Sequence, residues 1–498
     1  MKDFNFFKCN NVLLLLYFVF GLIACDDNGD SVDVGQPYDP NRLVKIVSFT
    51  PEEGNVKTKI VITGENFGVD TTMVEVSIGG VKAPLIGLKN NLIYCTAPNN
   101  GYEGTLSVKV GEQTAVAEKK FSYKADEMRV TTFYGNRMDD GRFEVMDGPI
   151  DESFTNYLGV ESPTWFSFNP NNHDELYMAQ DNDAAGGARA IRVFDLKKRT
   201  LRTTWSYTER LRTLDWSITG DTLFVAIDRG GDENTSTAVL ALTKDTDGEF
   251  RNVQEFAHGM QCNGAAVHPI NYEMYFNNYG KGLLFRFDYQ TYGGGLENSR
   301  AHRETMCAIQ DNDWEFNIVM HPTGKYAYLV IVNRHYIMRM NYDEVNKRFG
   351  MPYRIAGAVG EAGWTDGVGT AARFNTPYQG IFVKNPAYAG NEDEYDFYIT
   401  DRHNHCIRVL SPQGLVSTFA GRGSASLNEN ANGYVDGALR EDARFDQPMG
   451  LAYDERTNTF YVGDVQNHRI RMISYVSSSD EETAGDKGDA EGDNVDND

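Results

Sequence analysis

Two stretches near the carboxyl end of this chain repeat each other, and that repetition limits the possible fold more than any other feature. Asp366-Gly367…Ala372-Arg373-Phe374-x-x-Pro377 leads into Phe397-Tyr398-Ile399-Thr400-Asp401-x-x-Asn404-His405-x-Ile407-Arg408. One unit later, Asp436-Gly437…Ala443-Arg444-Phe445-x-x-Pro448 leads into Phe460-Tyr461-Val462-Gly463-Asp464-x-x-Asn467-His468-x-Ile470-Arg471. Self-similarity of this kind belongs to arrays in which each unit buries its apolar face against the next. The apolar runs are short, rich in β-branched and aromatic residues and separated by turn residues, so they predict strands.

Fainter copies run upstream. Asp147-Gly148…Phe154 with Tyr177-Met178-Ala179-Gln180-Asp181 and Ile191-Arg192-Val193 make a first unit. Residues 214–218, 223–227 and 238–242 make a second, and 265–268, 274–277 and 284–287 a third. A fourth covers 317–321, 326–331 and 336–340. With the two clear copies, residues 126–475 are expected to form a six-bladed β-propeller. The quoted residues resemble the NHL repeat. That resemblance implies that Asp401, Asn404, His405, Asp464, Asn467 and His468 occupy the turn between a blade's second and third strands. Carboxylate and amide groups there hold backbone N–H groups. It also implies an inward Ile and an Arg near the next blade. The competing reading is a His-and-Asp metal site at the channel mouth, as in lyases of this superfamily, and these six residues are its candidates.

The sixth unit stops after its third strand. Its missing strand is expected upstream, because Val130-Thr131-Thr132-Phe133-Tyr134-Gly135 matches Val416-Ser417-Thr418-Phe419-Ala420-Gly421 closely. An open edge on the last blade would leave backbone donors and acceptors unmet. Residues 129–134 are therefore predicted to close the sixth blade, antiparallel to 469–474.

Ahead of the propeller, residues 43–124 read as closely spaced strands at 44–48, 59–63, 74–78, 92–95, 105–110 and 117–123. Their order, Pro51…Gly54…Ile62-Thr63-Gly64-x-Asn66-Phe67-Gly68…Ile78-Gly79-Gly80…Cys95-x-x-Pro98, resembles the IPT/TIG family. The resemblance implies an immunoglobulin-like sandwich used as a spacer or docking module. The whole chain is thus expected to be all-β.

The two ends differ in character. Lys2 and Lys8 precede an apolar run over 12–24 that ends in Ala24-Cys25. Such a run is too short to span a bilayer, which needs about 20 residues, so 1–24 reads as a lipoprotein signal peptide with Cys25 the lipidated residue. Asp26-Asp27-Asn28-Gly29-Asp30 resembles the signal that sends Bacteroidota lipoproteins to the outer face of the outer membrane. Residues 25–42 read as a polar tether. Over 480–498 there are nine acids against one lysine, so 476–498 is expected to be a disordered acidic tail. The formal charge of −24 argues against nucleic acid as a partner.

Chemistry-bearing motifs are few. No GxSxG elbow and no CxxC pair occurs. His268-Pro269 and His321-Pro322 read as turn residues leaving a first strand. Asp181-Asn182-Asp183 and Asp245-Thr246-Asp247-Gly248 lack the bidentate acid of a calcium loop and read as hairpin turns. Cys95, Cys262, Cys307 and Cys406 remain after export, with their pairing open. What the blade starts offer is aromatic surface: Trp165, Tyr378 with Gln379, and Trp364 and Tyr434 before the two Asp-Gly turns. Sugars stack on such rings, and interblade packing is the competing use. The chain resembles gut Bacteroidota lipoproteins associated with glycan uptake. The function expected is a non-catalytic, lipid-anchored surface protein that binds a glycan or other small ligand on a propeller face, alongside outer-membrane transport proteins, without metal or cofactor. The alternatives are a lyase or lactonase on the same propeller, or a docking scaffold.

Overall fold

The computed structural model describes residues 36–476, apart from 55–57, 90, 99–103, 124–126, 136–142, 151–157, 182–188, 233–234, 310–314 and 424–429. The expected signal peptide, Cys25 and all but the first residue of the acidic tail lie outside the described residues. Two compact units are present, one ending at Ala125 and one covering Asp126–Ser477.

The first unit is a sandwich of two sheets. One joins Lys45–Thr50, Lys59–Glu65, Leu92–Thr96 and Leu85–Lys89; the other joins Glu53–Gly54, Gln113–Tyr123, Gly104–Val110, Val74–Ile78 and Val81–Ala83. Alternation decides what faces inward: Ile60 and Ile62 are buried between half-exposed neighbours, and they pack with Val76, Leu106, Val108 and Phe121 in one core. A side chain at Gly64 would strike the Lys45 carbonyl and the Phe67 ring, each 2.1 Å away, which explains the glycine of the Gly64-x-Asn66-Phe67 motif. Asn66, in the left-handed region at φ 64°, accepts the N–H of Asp39 at 3.0 Å and donates to the carbonyls of Asp39 and Arg42. Gln113 donates to the carbonyls of Pro40 and Arg42 and accepts the N–H of Val44. Residues 39–42 are therefore clipped onto the sandwich, whereas composition alone suggested a tether running to 42.

Among the described residues the second unit has six antiparallel sheets. Their innermost strands are Pro163–Asn169, Arg210–Trp216, Ala265–Val267, Phe316–Met320, Pro377–Lys384 and Pro448–Asp454. We number the blades one to six in that order. In the sixth, Glu127–Tyr134 lies outside Arg469–Val476, with Thr131 opposite Met472. The blade is composite, built from both ends of the unit.

In five of the six blades the turn after the inner strand is capped by a side chain at its start. Asn169, Asn385 and Asp454 accept the N–H two residues on. His268 and His321 do the same through Nδ1, to Ile270 and Thr323. The His-Pro pairs are thus turn caps. Asp245 likewise accepts the N–H groups of Asp247 and Glu249 and closes a hairpin.

Candidate functional site: the mouth of the central channel

The NHL signature residues form a buried clamp. Asp401 accepts hydrogen bonds from Asn375 N (2.7 Å), Asn404 Nδ2 (2.8 Å) and Arg408 Nη1 (2.9 Å), and Asn404 and Arg408 also donate to the carbonyls of Gly363, Arg373 and Thr365. Asp464, Asn467 and Arg471 repeat this set with Asp446 N and the carbonyls of Gly433, Arg444 and Val435. Each arginine binds the segment leading into its own blade, not the next blade as the sequence suggested. Burial pushes the Asp401 carboxyl upward and takes that of Asp464 up to about 6, against the pull of their arginines. The histidines secure the following blade. His405 Nδ1 accepts the N–H of Gln447 (3.2 Å), and His468 Nδ1 lies 3.3 Å from the Val160 carbonyl. His335, whose neighbours have lost the rest of the signature, accepts the N–H of Thr376 (3.0 Å). Among the described residues no three His, Cys, Asp or Glu side chains converge as a metal site.

The aromatic candidates separate into two groups. Trp165 and Tyr378 meet edge to face at 6.4 Å between ring centroids. With Val332, Met449, Val465 and Trp216 they belong to one buried cluster, which forms an apolar plug between blades. Trp364 and Tyr434 lie instead at the outer strands. Trp364 donates from Nε1 to Thr418 Oγ1 (2.9 Å) beneath the Arg422 guanidinium. Tyr434 Oη pairs with Thr132 Oγ1 (2.9 Å) beneath Arg469. These two rings are structural partners of the fourth strands and do not converge with the first pair.

Gln379 is committed to the ring itself. Its Oε1 accepts the N–H of Phe166 (2.9 Å) and of Leu451 (2.8 Å), and its Nε2 donates to the Phe166 carbonyl (2.7 Å). One amide thereby joins blades five, one and six.

On one side of the plug the channel opens into a cavity of about 420 Å³ lined by the inner strands of blades one to five, among them Trp165, Asp215, Trp216, Met320 and Gln379. Its walls are mostly apolar, with a few polar groups, as small-ligand sites usually are. Asp215 is the one ionisable side chain in that lining. Its oxygens accept the N–H groups of Trp216 (2.9 Å) and Val267 (2.7 Å), and burial raises its carboxyl to about 6. The indole N–H of Trp216 has no partner among the described residues. At the opposite end, Asp181 sits between Arg210 (2.9 Å) and Arg212 (3.1 Å), and Arg212 also pairs with Glu315 of blade four. In blade one the signature aspartate has thus turned from its own arginine to those of blade two. Nothing in the sequence announces Asp215, a single acid inside an apolar strand. The Asp181 pairing is equally silent, because its partners lie about thirty residues away.

Comparison with known proteins agrees with this architecture. The IPT/TIG domain family matches residues 45–123. NHL repeat-containing protein 2 of Bos taurus is 30% identical over 112 residues, and the chain spans only 13% of that protein's length. Three crystal structures from Bacteroides each align with 88% of this chain. An auxiliary nutrient binding protein from Bacteroides ovatus is 33% identical over 99% of its own length, with a TM-score of 0.68. A structure named as a putative phosphatase from Bacteroides thetaiotaomicron is 40% identical over 98% of its length, with a TM-score of 0.67. An auxiliary nutrient binding protein from the same species is also 40% identical, over 99% of its length, with a TM-score of 0.65. At that identity and coverage, the chain belongs to the family of the Bacteroides thetaiotaomicron auxiliary nutrient binding protein.

Proposed function

We propose that this protein is a non-catalytic nutrient-binding protein that takes a saccharide into the channel-mouth cavity. The observation that carries the reading is the cavity itself: about 420 Å³, mostly apolar, with tryptophans and a half-buried carboxylate in its wall. Rings of that kind stack on the C–H faces of a sugar while a carboxylate accepts its hydroxyls. Kinship with two auxiliary nutrient binding proteins supports the same reading. A phosphate-ester substrate is disfavoured, because no Lys or Arg lines the cavity. Titration calorimetry against a panel of mono- and oligosaccharides tests it. Binding should be found and should be lost on Trp216→Ala in protein that still melts cooperatively. Binding that survives this substitution would move the site elsewhere.

The position of this site in the cell belongs to the same proposal. Cys25 is taken as a lipid anchor holding the protein at the outer membrane beside transport proteins. Cys25→Ser should release the protein from membranes after a carbonate wash, and retention of the variant would overturn the anchor.

A further inference from the structure

We infer that the cavity selects its ligand by charge, taking amine-bearing ligands, an amino sugar among saccharides, and turning away carboxylated, sulfated or phosphorylated ones, with Asp215 deciding the outcome. The inference rests on the channel mouth being the ligand site, and it holds whether or not the ligand is a saccharide.

Three observations support it. First, the cavity lining contains this one carboxylate and no Lys, Arg or His. Second, the three buried signature aspartates of the ring each have an arginine: Asp181 has Arg210 and Arg212, Asp401 has Arg408, and Asp464 has Arg471. Asp215 has two backbone N–H groups and, among the described residues, no cation. An ionised carboxylate offers about four lone-pair sites, so two backbone bonds leave acceptor capacity open. Third, Trp165 and Trp216 border the cavity from a buried cluster in which Trp216 also packs edge to face against Tyr177 and Phe250. Indole faces attract cations, most strongly where water is excluded. A half-buried negative charge without a counter-ion favours a ligand that supplies one. It repels an anion that would share the same low-dielectric space. Asp215 also ties blade two to blade three through Val267, whose N–H takes one lone pair of one oxygen while the other oxygen accepts the N–H of Trp216.

The experiment uses the intact chain at pH 7.5 and follows tryptophan fluorescence during titration with three ring-matched probes: cyclohexylammonium, cyclohexanol and cyclohexanecarboxylate. A second series uses glucosamine, glucose and glucuronate. The ammonium probe should bind at least tenfold more tightly than the carboxylate, and Asp215→Asn should bring the two within threefold of each other. Equal affinities in the wild-type protein, or a preference for the carboxylate, overturn the inference, and this arm does not depend on the variant folding. A preference unchanged in Asp215→Asn removes Asp215 from the deciding role. If the ring probes discriminate but no sugar binds, the saccharide reading fails and charge selection stands. If sugars bind without regard to charge, the reverse holds.

Discussion

Asp436 accepts the backbone N–H of Thr132 at 3.1 Å, as Asp366 accepts that of Thr418 at 3.2 Å, although Thr132 and Asp436 are 304 residues apart in sequence. Each aspartate also holds the buried arginine of its blade, Arg471 or Arg408. Asp147 makes the same pair of contacts with Thr203 and Arg192 in blade one. The latch that fastens a fourth strand inside blades one and five therefore also fastens the two ends of the propeller. Asp436→Ala should cost about 1.5–3 kcal/mol, the worth of hydrogen bonds to a charged group. Removing residues 1–124 should leave a cooperative melt, whereas removing 1–136 should abolish it. Calorimetry of the two truncations checks this, and equal melting temperatures would overturn it.

Asp464→Ala should be among the most damaging single substitutions. It strands Arg471, whose side chain is fully buried, with only the half-exposed Asp436 left as a carboxylate partner. Breaking one side of a buried pair costs about 3–5 kcal/mol. Urea denaturation should show a loss in that range for Asp464→Ala and a similar one for Asp401→Ala. A loss below about 1 kcal/mol would remove the clamp from the structural ledger.

What the sequence disclosed follows the same division. Asp401, Asn404 and Arg408 were legible because they satisfy each other within eight positions of one chain segment, so the motif and the contact coincide. The closing strand was legible because Thr132 answers the same demand as Thr418. Trp364 and Tyr434, for which the sequence allows either ligand stacking or packing, pack against the fourth strands. A ring before an Asp-Gly turn has a strong local signal, but its direction is set by the threonine of a strand that arrives from elsewhere. Asp215 and Gln379 act across blades, and their partners at Val267, Phe166 and Leu451 are fixed only when the ring closes.

Asp215 should leave a mark on the pH dependence of stability. Its carboxyl rises from the ordinary 3.8 to about 6 in the folded protein. The stability associated with its protonated form is present below the unfolded value and is lost as pH rises through about 6. Wild-type protein should therefore lose stability relative to Asp215→Asn between pH 4 and pH 7 (assay points chosen around the two values), by on the order of 1 kcal/mol, because the side chain keeps some contact with cavity water. His321, held down to about 4 by burial, and His405, also lowered, act in the opposite direction. They are common to both proteins and cancel in the difference. A difference that is flat across this range would contradict the assignment.

Gln379 offers the sharpest distinction between a ligand contact and a ring fastener. Its carbonyl oxygen meets two buried N–H groups and its amide nitrogen meets one buried carbonyl, so each half of the group is required. Gln379→Ala leaves the donors of Phe166 and Leu451 unmet, and each such loss costs about 1–3 kcal/mol. Gln379→Glu is more informative. Protonated, the acid can still accept two N–H groups and donate its O–H to the Phe166 carbonyl. Ionised, it has no proton to donate and buries a charge against that carbonyl. The variant should lie close to wild type in melting temperature at pH 5 and fall well below it at pH 8, with no ligand present in either buffer. Thermal melts across that range decide the matter. A variant equally stable at both values would show that the amide donor is dispensable to the ring, and Gln379 would return to the group of ligand-contact candidates.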